Sequence, residues 1–396
     1  MKITDVKAYV IETDWDDRPG GDTPRLPTKR QFIFLKVETD EGIDGWGEVT
    51  NYPGQVGNRA IGRYIQELKV FLVGQDPTAI EYIWQRTFRL FTYTGTRGAT
   101  TAAISGIDIA LWDILGKSLG KPIYALLGGP VRDRIALYTH PPEPATPEAA
   151  VADAKEIVAS GHRALKMDPM MHSLHGGIKD GNITFMDGEL SPQGLAEAVE
   201  ITAAVREAVG PHIEVLIDAH GRYNVPTAIQ LANALAPYNI HWFEEPVPVE
   251  SYSALKQVRE KISSRISVGE RLHTRFEFVP IFENNLADYI MPDVTWTGGI
   301  SELKKISTMA EAYYIPVSPH DASGPINIMA GAQVMMTVPN FYKLETIRYD
   351  LSGYNKFMDV PLNIRNGDLY VSDRPGLGMN LDEEFLKAHA IEGFRE

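Results

Sequence analysis

Residues 214–270 read EVLIDAHGRYNVPTAIQLANALAPYNIHWFEEPVPVESYSALKQVREKISSRISVGE. Three short β-rich runs in this stretch each end on a carboxylate: EVLID on Asp218, HWFE on Glu244 and ISVGE on Glu270, the acids lying 26 residues apart. Between them, 228–235 and 255–262 place apolar residues at helical spacing. A period of that length fits one strand, one helix and two short connections, so the acids fall at the C-terminal ends of successive strands. The texture extends in both directions, with β-rich runs at 135–139, 164–167, 289–291, 315–317 and 341–344 and a further helical segment at 303–313. Together with 214–217, 240–243 and 266–268 these make eight strand–helix alternations. Such alternation predicts an α/β domain with a parallel sheet, and the number eight favours a closed (β/α)8 barrel over an open doubly wound sheet.

The chain before this region reads as α+β. Segments 2–12 and 31–40 alternate as strands, Glu41-Gly42 is expected to turn a hairpin into 44–49, and helical periodicity follows at 59–72, 79–90 and 99–119. In the last helix Ala103, Ile107, Ala110, Leu111 and Leu115 share one face. A polar stretch at 14–29 with three prolines and two adjacent glycines reads as a long loop. The expected organisation is a capping domain over 1–125, onto which 351–396 packs back, and a barrel over 126–350.

Composition narrows the function. The chain has 396 residues, 38 Lys+Arg against 52 Asp+Glu, a formal net charge of −14 and no cysteine. Lack of cysteine excludes disulfides, thiolate nucleophiles, iron–sulfur clusters and Cys-ligated zinc. The acidic balance argues against nucleic acid and anionic membrane surfaces as partners. No uncharged apolar run spans a bilayer and the N-terminus lacks signal-peptide character, so a cytoplasmic location is expected.

The beat of polar strand ends continues beyond the first three acids: Asp293 follows Glu270 by 23 residues, His320 follows by 27 and Glu345 by 25. Lys166 ends the run at 164–167 and places an ammonium in the same ring. Carboxylates after strands commonly cap the next helix. Caps, however, need not recur once per unit behind equivalent apolar runs. Three acids around one barrel mouth therefore point to a hard divalent cation with oxygen ligands, Mg²⁺ foremost, held by Asp218, Glu244 and Glu270. His220, two residues after Asp218, faces the same side on a continuing strand. Asp293 on the neighbouring strand is placed to orient His320. The other histidines, His162, His172, His175, His212, His241, His273 and His389, form no comparable constellation, and His140 is either a substrate contact or a turn residue.

In order, Lys-x-Asp at 166–168, Asp-x-His at 218–220, Glu244, GlyGluArg at 269–271, ProAspxThrxxGlyGly at 292–299, SerProHis at 318–320 and Glu345 resemble the mandelate racemase group of the enolase superfamily. FLKVETDEGIDGWGEV (34–49), GIDIALWDILGK (106–117), LLGGPVRDRI (126–135), GERLHTRFEF (269–278), MPDVTWTGGISE (291–302) and RPGLGMNLDE (374–383) are similar to acid-sugar dehydratases of the D-galactonate dehydratase type. The resemblance spans nearly the whole chain. It implies an N-terminal α+β cap, a modified (β/α)7β barrel, and a Mg²⁺-stabilised enediolate formed from a carboxylate substrate. Carried over by position, it implies Asp218, Glu244 and Glu270 as metal ligands, His320 with Asp293 as the base pair, and Lys166 as the contact to the substrate carboxylate. Glu345 would help hold the developing oxyanion, which requires that it be protonated or act through a neighbour. Even-numbered homo-oligomers are common in the resembling family, and the apolar cap helices would permit one.

The chain departs from the racemase pattern at two places. Asp168 stands where racemases carry a second lysine, as either a substrate contact or a partner for Lys166. His220 stands where they carry asparagine. A racemase needs bases on both faces of the α-carbon. Here His320 is the candidate to remove the C2 proton and His220 the candidate acid for a departing 3-hydroxyl. The reading is a Mg²⁺-dependent dehydratase of a five- or six-carbon sugar acid, giving a 2-keto-3-deoxy acid. Its rivals are an epimerase or cycloisomerase using the same enediolate, and a retired barrel with a binding or structural role. Specificity is expected from a lid formed by 14–29 and 51–59, with Arg18, Arg25, Lys29, Tyr52 and Arg59 as candidate contacts, and from the insert 172–188.

Overall fold

The computed structural model describes residues 1–14, 29–50, 57–140, 146–170, 188–347 and 351–395. Arg18, Arg25 and Tyr52, with most of the expected lid and the insert at 172–187, lie outside the described residues.

The first unit is an antiparallel sheet in the order β1 (Ile3–Asp14), β2 (Lys29–Thr39) and β3 (Gly45–Val49), with helices α1 (Asn58–Leu72), α2 (Ile80–Leu90) and α3 (Ala99–Leu119). The expected alternation of β2 gives way to a run buried on both faces, Phe32 to Leu35. The C-terminal segment covers part of it, Phe357 lying 5.5 Å from Phe32 and 5.6 Å from Phe34, ring to ring. Against β3, α3 approaches backbone to backbone: a Cβ on Gly47 would stand 2.0 Å from the Gly106 carbonyl oxygen, so only glycine fits there. Among the described residues α3 is the one helix long and apolar enough to cross a membrane, but 83% of its apolar window is buried within the protein.

The second unit closes into a barrel. Parallel strands β4 (Ile135–His140), β5 (Ala164–Met167), β6 (Glu214–Asp218), β7 (Trp242–Glu244), β8 (Ile266–Val268) and β9 (Tyr289–Ile290) pair in sequence order. Ile290 then bridges Val317 and Val317 bridges Phe341. Strand β10 (Leu344–Ile347) pairs in parallel with β4, Leu344 opposite Leu137 and Ile347 opposite His140, and completes the ring. The expected strand at 315–317 is reduced to one bridging residue, Val317, because Pro316 and Pro319 have no amide to give the ladder. The eighth strand pairs later than expected for a related reason: Phe341 serves Val317, and the chain must advance before it reaches β4.

The outer helices start where cap chemistry allows. Thr146, Ser191, Asn224 and Ser251 each accept a backbone amide of the following turn, and proline occupies the first positions after the first three. Cap and barrel are joined through the same device. Asp108 of α3 accepts the Ser301 amide at 2.9 Å and the Ser301 hydroxyl at 2.6 Å, at the start of the helix Gly299–Ala312. Gly299 (φ 83°) admits it, since a Cβ there would lie 2.4 Å from Asp108 Oδ2. The C-terminal segment returns to the first unit, where Glu383 accepts from Tyr9 at 2.9 Å and Lys36 at 2.8 Å and Ala390 bridges Ile11.

Candidate active site

Asp218 ends β6, Glu244 ends β7, and Glu270 follows β8 by two residues. None of the three caps a helix: the helices after β6 and β7 are capped by Asn224 and Ser251, and the helix after β8 begins at Thr274. Instead they converge, with one carboxylate oxygen from each lying within 4.8 Å of the others, all buried. Gly269 (φ 135°) turns the chain so that Glu270 points inward; a Cβ there would lie 2.9 Å from the Phe278 ring.

Three buried carboxylates this close repel one another, and the protonation pattern shows it. Burial and the Asp218 carboxylate push Glu244 well above the usual range. Burial would raise Asp218 as well, but His220 and the Lys166 ammonium hold it well below. Lys166 Nζ lies 2.9 Å from Glu244 Oε1, 3.1 Å from Asp218 Oδ2 and 2.5 Å from Glu345 Oε1. Asp218 Oδ2 is buried without a hydrogen-bond donor of good geometry. An all-oxygen donor set with surplus negative charge and an unsatisfied inward oxygen fits a hard divalent cation.

Two Asp–His pairs flank the triad. On one side His320 Nδ1 donates to Asp293 Oδ2 at 2.8 Å, which leaves Nε2 facing Glu270 Oε2 at 3.5 Å and Glu345 Oε2 at 4.0 Å. On the other, His220 Nδ1 donates to Asp168 Oδ2 at 2.9 Å and turns Nε2 toward Asp218 Oδ2 at 3.4 Å. His220 reaches this position in a left-handed conformation (φ 53°), with its amide on Asp218 Oδ1 at 2.8 Å. Asp168 thus partners His220 rather than Lys166, because β5 ends at Met167 and the chain has left the strand alternation. Burial disfavours a charged His220, yet Asp218 and Asp168 outweigh it and raise its affinity for a proton.

Glu345 is buried on β10, its Oε2 accepting the Asp321 amide at 3.2 Å and its Oε1 lying 3.8 Å from His140 Nε2. Burial would raise it, but Lys166 and His320 hold it below the ordinary carboxylate range. Of the two options open for Glu345, the geometry favours action through a neighbour, the Lys166 ammonium. His140 is half-buried beside it.

Several residues at the site went unnoticed in the sequence. Arg222 donates to the same Asp168 oxygen as His220, and Trp242 Nε1 donates to Glu244 Oε2 at 2.9 Å. Thr295 gives both amide and hydroxyl to Asp293 Oδ1 at 2.7 Å. Trp242 and Thr295 each lie two residues from a polar strand end, so the two-residue period that picked out His220 would have found them, whereas Arg222 lies four residues past Asp218 and carries no such signal.

A closed α/β barrel whose C-terminal mouth carries a buried carboxylate triad between two Asp–His pairs is the architecture of a barrel enzyme, with a triad suited to a divalent cation. The chain belongs to the mandelate racemase group of the enolase superfamily. Residues 6–128 match the mandelate racemase/muconate lactonizing enzyme N-terminal domain, and residues 149–385 match the enolase C-terminal domain-like family. Among curated relatives, D-xylonate dehydratase of Haloferax volcanii is 36% identical over 99% of this chain and 90% of its own length. D-galactonate dehydratase of Pectobacterium atrosepticum is 35% identical over 98% of this chain and 94% of its own. The solved structure of the 3,6-anhydro-D-galactonate cycloisomerase of Zobellia galactanivorans superposes with a TM-score of 0.83 at 28% identity, covering 99% of this chain and all of that one (100%).

Proposed function

We propose that this protein is a Mg²⁺-dependent hydro-lyase that dehydrates a five- or six-carbon sugar acid to a 2-keto-3-deoxy acid. One observation carries the reading: the triad is flanked by two differently placed Asp–His pairs, which gives a base on one side and an acid on the other. Relatives named as dehydratases of xylonate and galactonate support the substrate class.

Asp218, Glu244 and Glu270 would hold the cation, which when bound supplies positive charge to the substrate's carboxylate oxygens as negative charge develops there. His320 Nε2 takes the C2 proton while Asp293 fixes the opposite ring nitrogen and stabilises the imidazolium that forms. Lys166 adds a fixed ammonium for the substrate carboxylate, with Glu345 setting its position. His220, held by Asp168, delivers a proton to the 3-hydroxyl, which leaves as water. The resulting enol ketonises to the product.

The experiment is a panel of sugar acids incubated with Mg²⁺ and, in parallel, with EDTA, read by semicarbazone absorbance. A keto-acid product that depends on metal is expected for at least one aldonate. Turnover without a keto acid would favour an epimerase working through the same enediolate. No turnover, and no C2 exchange in D₂O, would contradict the reading.

A further inference from the structure

The aspartate of the base pair is held partly from outside the barrel. Asp293 Oδ2 accepts from His320 Nδ1 at 2.8 Å and from Thr50 Oγ1 at 3.2 Å, and Thr50 follows β3 in the cap sheet. Thr50 Oγ1 also lies 2.6 Å from Thr295 Oγ1 and 3.0 Å from Ser323 Oγ. A threonine has one hydroxyl proton to give. That of Thr295 is directed at Asp293 Oδ1 at 2.7 Å and Ser323 can donate to Thr50, so the Thr50 proton is shared between Thr295 Oγ1 at 2.6 Å and Asp293 Oδ2 at 3.2 Å, and Thr50 holds the carboxylate both directly and through Thr295. Asn327 Nδ2 completes the shell at 3.3 and 3.4 Å.

Neighbouring cap residues hold the same region. Glu48 of β3, fully buried, accepts the Ile326 and Asn327 amides at 3.0 Å each, in the first turn of the helix Pro325–Met335. Gly324 makes room, since a Cβ there would stand 2.3 Å from Glu48 Oε1. Arg30 of β2 donates to the Ala322 and Ser323 carbonyls at 2.7 and 2.8 Å. The cap therefore grips the loop after His320, the helix that carries Asn327, and the Asp293 carboxylate itself.

We propose that Thr50 is a positioning residue for proton abstraction: its hydroxyl fixes the Asp293 carboxylate and, through it, the His320 imidazole. The cap then forms part of the base assembly and is more than a cover for the substrate. This rests on the function proposed above for the same site.

The test compares T50V, which keeps the shape and removes the donor, with T50S, which keeps the hydroxyl, in the Mg²⁺-loaded protein with the aldonate the panel identifies. T50V should lose roughly 10-fold in kcat, the scale of a hydrogen bond to a charged group, with KM much less affected. The isotope effect with C2-deuterated substrate should rise as abstraction becomes slower, and T50S should restore both. In the resting protein labelled with ¹⁵N-histidine, the His320 Nδ1 proton, assigned by its loss in H320Q, should shift in T50V and stay in place in T50S. A T50V enzyme with wild-type kcat and isotope effect overturns the proposal. So does a T50S enzyme as impaired as T50V, or a fall in Tm alone. If the wild type neither dehydrates nor exchanges any substrate, the functional reading falls, and the Nδ1 resonance alone decides the positioning claim.

Discussion

The proposed base works with its proton off, and its surroundings oppose that. Burial lowers the affinity of His320 for a proton, yet Glu270, Glu345 and Asp293 outweigh burial and hold it up to about 9. A base must be neutral to act, so activity should fall as the pH drops through the pKa of this pair. A cation on the triad offsets Glu270 and brings the value toward the ordinary ~6.5. The acid limb of kcat/KM with Mg²⁺ should therefore lie between ~6.5 and 9, and D293N, which removes an anionic partner, should move it lower. A limb well below pH 6, or one unmoved in D293N, would contradict the assignment. The strand-end acids were legible in the sequence because a fixed beat singles out positions that share one rim. Arg222 and Thr50 were not, since Arg222 reads as an ordinary surface cation and Thr50 meets Asp293, 243 positions further along the chain, only once the fold has formed.

At the level of elements, the cap is fastened by acids placed at helix starts. Asp108 serves the helix Gly299–Ala312, and in D108A the buried Ser301 amide loses its acceptor. That should cost about 1–3 kcal/mol, measured by urea unfolding; an unchanged midpoint would remove Asp108 from the account. The C-terminal segment is pinned through Glu383. Burial would raise this carboxyl, but Lys36, Tyr9 and Lys387 outweigh burial and hold it at about 2 against the ordinary 4.5. A depressed acid contributes stability that is present above its unfolded pKa and lost as pH falls toward the folded value. Thermal scans between pH 5 and 2 should accordingly show wild type losing its advantage over E383Q in that window. Helices and the early barrel strands were legible from periodicity and cap residues. The seventh strand was not, because the tripeptide 315–317 looks like a strand yet carries Pro316 at its centre, and only Val317 bridges the neighbouring strands. The double burial of β2 was hidden as well, since its outer cover comes from residues more than 300 positions away in the chain.

For the molecule as a whole, the barrel brings together charges that the folded chain tolerates poorly without a counter-ion. Metal should thus stabilise the fold: at one hundred times Kd, binding adds about 2.7 kcal/mol. Mg²⁺ should raise Tm and EDTA reverse it, whereas E244Q should show no metal-dependent shift. A wild-type Tm indifferent to Mg²⁺ would count against the triad as its site. The net charge of −14, at first sight ill-suited to an anionic substrate, is offset where it matters by Lys166 and by the cation the triad fits. The central claim is that the two histidines divide the chemistry, His320 taking a proton and His220 giving one. The most direct test is H220N with Mg²⁺ in D₂O, following C2 exchange by proton NMR beside keto-acid release. Dehydration should fall on the order of 10²–10⁴-fold while C2 exchange persists. Dehydration at the wild-type rate, or exchange lost in step with it, would contradict the division of roles.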